Sequence, residues 1–180
     1  MDILMYSLVI LIIVCVILIW IISTYNRFQT YIIRINEAEA NIDTVLRRRF
    51  DLLNKSIGII ETETKEENVL EKVKKLRSKK LSNFELDRYL YDAINEYSIF
   101  KEKYSDLKNN TEFMKIDLDL DESEADIVAL RKYYNDIITD YNKLAKSFPS
   151  IIIGFLFKYK KKTYFDGKNM DDEIINDFKL

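Results

Sequence analysis

The sequence contains no histidine, one cysteine, one proline and three glycines in 180 residues. Histidine is the commonest general base and metal ligand near neutral pH, so its absence leaves acid–base work to carboxylates, lysine or tyrosine. A single cysteine forms no internal disulfide and no thiolate zinc site. Gly58, Gly154 and Gly167 stand far apart, so neither a phosphate-cradling loop nor a dinucleotide fingerprint can be written. Scarce glycine and proline also argue against a strand-rich fold, whose tight turns consume both. What is present instead is a charged, tyrosine-rich chain with apolar residues at helical spacing.

Residues 3–22 carry no charge. At ~1.5 Å per residue they give roughly 30 Å of helix, the thickness of a hydrocarbon core. They are expected to be a transmembrane helix, because a helix apolar on every face needs lipid or a large protein around it. A cleaved signal peptide fits less well. The chain starts Met1-Asp2 without a basic residue, and no small-x-small site follows Trp20. The apolar run also exceeds the usual ~7–15 residues. Cys15 lies inside the segment as a small apolar residue. Arg27 and Arg34, then Arg47, Arg48 and Arg49, follow the segment, and no basic side chain precedes it. Basic flanks prefer the cytoplasm, so the expectation is a single-pass protein of the cell membrane, amino terminus outside and a cytoplasmic domain beginning near Tyr25. Trp20 and Tyr25 suit the interfacial belt.

All 28 basic residues and all but one of the 30 acids lie beyond residue 22. Apolar residues there recur at steps of three or four: Phe28, Ile32, Ile35, Ala38, Ile42, Val45, Phe50, Leu53, Ile57 and Ile60, with a single step of five from Val45 to Phe50. This predicts a long helix continuing the membrane segment and ending near Glu61. Thr64-x-x-Glu67 reads as a capping box before a short helix through Val69, Leu70, Val73 and Leu76. Ser82-x-x-Glu85, with Leu81 and Leu86 as a hydrophobic staple, starts a third helix near Asn83. Its stripe is Leu86, Leu90, Ala93, Tyr97, Phe100 and Tyr104, and residues 105–110 read as a turn. Thr111 is the expected cap of a fourth helix carrying Phe113, Ile116, Leu120, Ile127, Tyr134, Ile138, Tyr141, Leu144 and Phe148, stopped by Pro149.

Such stripes can be buried only against one another. The expected fold is all-α: an N-terminal transmembrane helix continuing into a long antiparallel, up-and-down four-helix bundle. The expected division is an anchor over 1–24, a bundle over 25–148 and a tail over 149–180. A three-helix alternative fuses residues 65–104, and the capping box at Ser82 ranks it second.

The tail holds an apolar run, Ile151-Ile152-Ile153-Gly154-Phe155-Leu156-Phe157, then Lys158, Lys160, Lys161 and Lys162. One reading closes the end of the bundle with the apolar part and leaves the lysines solvated. The other lays the segment on anionic lipid through Lys158, Lys160, Lys161 and Lys162. A second basic cluster, Lys72, Lys74, Lys75, Arg77, Lys79 and Lys80, is a weak nucleic-acid signal in a chain of net charge −2. The acidic run Asp117, Asp119, Asp121, Glu122, Glu124 and Asp126 lacks the central glycine and terminal bidentate acid of a calcium loop. It reads as a helix face that is solvated or paired with basic neighbours. A di-iron site of the bundle type needs histidine. No metal, cofactor, small-molecule substrate or nucleic acid is expected.

Several segments resemble the LemA family: Tyr25-Asn26, Glu37-Ala38, Ile42-Asp43, Arg48-Arg49-Phe50-Asp51-Leu52, Tyr104-x-Asp106-Leu107-Lys108-x-Asn110 and Phe113. Glu124-x-x-Ile127, Arg131-x-x-Tyr134-Asn135, Tyr141-Asn142, Phe148-Pro149 and Tyr164-Phe165 continue the likeness through nearly the whole chain. The resemblance implies a single-pass membrane protein with a long helical bundle, and no particular reaction. This chain has Glu39 where the family usually has Trp, Asn54-Lys55 for Pro-Asn and Ser105 for Pro. A straighter first helix near Asn54 is the expected consequence, as is a lost packing group at Glu39.

Tyr134-Asn135 and Tyr141-Asn142 lie seven residues apart, on one side of the fourth helix. The plainer expectation is tyrosines at the helix seam with asparagines fixing register. The alternative is a polar patch for a protein partner, whose identity the sequence does not give. Taken together, these features point to a non-enzymatic, membrane-anchored scaffold or adaptor. A lipid-binding or membrane-shaping protein acting through the tail is the alternative, and a carboxylate enzyme the third reading.

Overall fold

The computed structural model describes residues 2–66, 69–76 and 81–166. Every regular element among them is helical: α1 (Asp2–Thr64), α2 (Glu71–Leu76), α3 (Asn83–Lys103), a 3₁₀ turn (Ser105–Asn109), α4 (Thr111–Lys146) and α5 (Ser150–Leu156). The chain divides into two compact units. Among the described residues one comprises 2–37 with 135–164, and the other 38–134 with 165–166.

Helix α1 is continuous for 63 residues. No glycine or proline interrupts it before Gly58, and Asn54, where the family has proline, keeps its backbone N–H for the helical ladder. It is long and apolar enough at its start to cross a membrane, and none of that apolar stretch is buried against the rest of the protein. Beyond it Phe28, Ile35, Ala38, Ile42, Leu46, Leu53, Ile57 and Ile60 form the buried stripe. Val45 and Phe50, expected in that stripe, are only half-buried; Leu46 and Arg49 take the inward positions. The steps 42, 46, 49, 53 keep helical spacing, which the step of five through apolar residues alone did not.

Thr64 does not start a helix as expected, since α2 begins only at Glu71. Thr64 is the last residue of α1, and its hydroxyl donates back to the Ile60 carbonyl at 2.6 Å. Its intended partner Glu67 lies outside the described residues, as do Arg77, Lys79 and Lys80 of the basic cluster and residues 167–180 of the tail. Val69 and Leu70 are buried in a turn ahead of α2 rather than within it. Glu96 on α3 receives the Leu70 N–H at 3.2 Å.

Helix α3 begins where expected. Ser82 accepts from the Glu85 N–H at 3.3 Å, and Glu85 accepts from the Ser82 N–H at 2.9 Å. Leu90, Ala93 and Tyr97 are buried, with Tyr97 stacked on Phe113 of α4 at 5.0 Å. Asn110, not Thr111, caps α4: its side-chain oxygen accepts from the N–H groups of Glu112 and Phe113. The helix stops at Lys146, ahead of Pro149. Phe148, assigned to the buried stripe by spacing, is 83 % exposed, because it lies beyond the helix whose face that spacing describes.

Candidate functional site

The unit built on residues 38–134 contains a network of charges in which Arg49 and Asp87 are buried. Arg49 of α1 is 1 % exposed and donates to Glu124 of α4 at 2.5 Å. Arg131, two turns further along α4, pairs with Asp87 of α3. Asp87 also feels the charges of Arg49 and Glu124, so the four form one alternating set shared by three helices. Burial pushes the Asp87 carboxyl above its ordinary value, against the opposing hydrogen bond and charge of Arg131. A guanidinium suits the position because its charge persists when desolvated and its fork reaches a carboxylate from inside the helix seam. Around this set Arg48 pairs with Glu122 at 3.0 Å and Asp119 at 3.4 Å, and Lys101 pairs with Asp117 at 2.6 Å. Four of the six carboxylates in the expected acidic face, Asp117, Asp119, Glu122 and Glu124, are therefore held in inter-helix ion pairs. Among the described residues no three acidic or cysteine side chains stand together to hold a metal ion.

Tyr134 belongs to this same unit. Its hydroxyl donates to Glu39 at 3.2 Å, and its ring meets Phe165 edge-on at 6.2 Å. Burial, then the nearby Glu39 charge, pushes its phenol up to about 12. Glu39 thus makes a polar contact where the family's tryptophan would pack. Phe165 also lies edge-on to Phe84 at 5.9 Å and under the Arg131 guanidinium at 5.8 Å.

In the other unit, α4 and the segment after α5 are clasped through backbone. Asn142 donates its side-chain amide to the Lys162 carbonyl at 2.8 Å and accepts that residue's N–H at 2.9 Å. The Tyr141 hydroxyl donates to the Lys160 carbonyl at 2.9 Å, and the Thr139 and Tyr164 hydroxyls pair at 3.1 Å. Tyr159 stacks on Phe28 at 4.5 Å, and its hydroxyl accepts from Gln29 at 2.7 Å. Tyr25 meets Phe157 at 5.0 Å.

Helix α5 ends in a Schellman motif. The Tyr159 N–H returns to the Gly154 carbonyl at 2.8 Å and the Lys158 N–H to the Phe155 carbonyl at 3.3 Å. Lys158 takes the left-handed position, φ 58°, where glycine is usual. The turn closes one side of a cleft of about 610 Å³, lined by Ala145, Ile151, Gly154, Phe155, Leu156, Lys158, Tyr159, Lys160 and Lys161. Its lining is mainly apolar and includes three lysines, Lys158, Lys160 and Lys161.

Two groups of residues singled out by sequence, Tyr141 with Asn142 and the lysines 158–162, are thus brought together. The asparagine grips a returning segment rather than a neighbouring helix. Asn135 lies half-buried in this unit, its carbonyl accepting from Thr139 at 2.9 Å. Arg49 and Asp87 were missed as core positions, and the irregular step in the α1 stripe was the signal for the first.

Among the described residues, an all-helical protein with one helix long and apolar enough to cross a membrane is the class these observations define. The LemA family's sequence profile matches residues 38–176, and the chain belongs to the LemA family. Arg49, Glu124 and Arg131 fall in segments that carry the resemblance, whereas Tyr25-Asn26 and Glu37 precede the matched range. No curated protein matches the sequence.

Proposed function

We propose that this LemA-family protein is a single-pass membrane protein whose helical part, an antiparallel four-helix bundle over 25–148, serves as a non-enzymatic scaffold or adaptor. The observation that carries the reading is the uninterrupted α1: one helix bears the apolar stretch at its start and the buried stripe after it. A folded part that shares a helix with its span is joined to it directly, which suits a membrane-anchored platform. The antiparallel arrangement is supported by Glu39 pairing with Tyr134 while Arg48 and Arg49, further along α1, pair with Glu122 and Glu124, earlier in α4. A non-enzymatic role is supported by the commitment of the buried carboxylate Asp87 to Arg131. The basic residues after the span support a cytoplasmic domain.

Tyr91 and Ile99 are exposed on α3, and Leu118 and Val128 on α4, the kind of side chain a partner would cover. A photo-crosslinker at Tyr91 or Ile99 of the full chain in cells should give one defined adduct that Leu118→Lys or Val128→Lys weakens. The absence of any defined adduct from both crosslinker positions would remove the adaptor reading.

A second reading, lipid binding through the tail, is favoured by α5. Ile151, Ile152 and Leu156 are exposed, and Phe155 is 88 % exposed, in a helix whose end contacts Tyr25 just beyond the apolar stretch.

A further inference from the structure

We infer that the cleft between α5 and residues 158–161 is a binding site for an anionic phospholipid of the surrounding bilayer, its acyl chain on the Ile151, Phe155 and Leu156 floor and its phosphate at Lys158, Lys160 and Lys161. The inference rests on the tail's lying at the membrane, and it adds a specific ligand chemistry to that reading.

Four observations converge. The volume, about 610 Å³, falls within the ~300–1,000 Å³ usual for ligand sites. The floor is apolar and open, a surface that water leaves uncovered only at a cost. The rim carries three lysines and no acid. The hydrogen bonds from Tyr141 and Asn142 to the segment use the carbonyls of Lys160 and Lys162 and the N–H of Lys162, so they fix its course through backbone groups. Position supplies the choice of occupant. Phe157 touches Tyr25 and Tyr159 stacks on Phe28, so the cleft is tied to the first turns after the apolar stretch, the level at which lipid phosphates lie when that stretch spans a bilayer.

The full chain, carrying Trp20→Phe and Phe155→Trp, provides a single reporter on the cleft floor, since Trp20 is the protein's one tryptophan. The protein is reconstituted in phosphatidylcholine bilayers containing increasing brominated phosphatidylglycerol or brominated phosphatidylcholine. Each lysine near an anionic surface contributes roughly a fivefold preference at low salt. The expected result is half-quenching at an anionic mole fraction at least about tenfold lower than for the zwitterionic lipid. Changing Lys158, Lys160 and Lys161 together to Gln should abolish that ratio while leaving quenching itself intact. Equal quenching by both lipids, unaffected by the lysines, would overturn the anionic site and leave the tail at the membrane. No quenching by either lipid would overturn both.

Discussion

Asn142 and Lys162 pair as two strands would, the side-chain amide of one meeting both the N–H and the carbonyl of the other at 2.9 and 2.8 Å. An amide offers a donor and an acceptor in the geometry of a peptide group, so it can hold an extended segment without requiring any side chain from it. Lys162 can therefore be any residue but proline, whereas Asn142, 1 % exposed, cannot. Asn142→Ala should leave both backbone groups unpaired at a local cost of about 1–3 kcal/mol. The measurement is hydrogen exchange at the Lys162 amide, which should lose most of its protection. Asn142→Asp should keep that amide protected, because the acceptor remains. Equal exchange in both variants and the parent would show that the clasp does not form.

The Arg49–Glu124 pair is asymmetric in exposure, 1 % against 46 % of each side chain. Removing the exposed partner leaves a buried cation, and removing the buried one leaves an acid that water can solvate. Glu124→Ala should thus cost about 3 kcal/mol, while Arg49→Met, which fills much of the same space without charge, should cost clearly less. Thermal unfolding of the full chain in detergent, followed by far-UV circular dichroism, orders the two. The reverse order would mean that the guanidinium acts through packing alone.

Asp87 sets a pH dependence of distinct sign. Its carboxyl, raised by burial from an ordinary 3.8, holds its proton in the folded state after the unfolded chain has released it. Between those two values the native state binds more protons, so this group's contribution falls as pH rises through the window and is flat above the folded value. Asp87→Asn removes the titration. The stability of the parent minus that of the variant should decline with rising pH across the window, and a rising difference would assign the net shift to Arg131 instead of burial.

Much of this fold is legible in the sequence wherever a local rule has a local partner. Ser82 and Glu85 are three residues apart, and α3 starts beside them. The apolar stripes of α1 and α4 follow from spacing. The charge network does not, because a pattern built from apolar residues passes over an arginine, and it places Val45 and Phe50 where Leu46 and Arg49 belong. Asp87 sits between Leu86 and Arg88 like any surface acid; its partner is 44 residues away. The role of Asn142 was half legible. Its seven-residue spacing from Asn135 indicated one helix face, but its partner is backbone in a segment with no periodicity.

The capping box gives the opposite pH limb. The Ser82 N–H and hydroxyl both donate to Glu85, the N–H at 2.9 Å, and hold its carboxyl below the ordinary 4.5. Its contribution is present above that value and is lost as pH falls through the lower folded one. Ser82→Ala should cost about 1 kcal/mol near neutral pH. It should also reduce the acid-side loss without abolishing it, since the backbone N–H of residue 82 still reaches Glu85. An unchanged acid limb, measured by unfolding between pH 2 and 6, would place the stabilising proton linkage elsewhere.

Lys158 separates stability from ligand binding at a single position. Its left-handed backbone, φ 58°, puts a Cβ where the Schellman motif prefers glycine, at a cost of about 1 kcal/mol. Lys158→Gly should therefore stabilise the turn by about that amount, seen as slower exchange of the Tyr159 amide that closes it. The same change removes one of the three ammonium groups on the cleft rim, and should weaken the preference for anionic lipid. Lys158→Ala removes the ammonium while keeping the Cβ, so it should weaken that preference equally and leave the turn as strained as before. If glycine weakened lipid preference and alanine did not, the loss would come from a loosened turn rather than from charge, and lysine at this position would owe nothing to the bilayer.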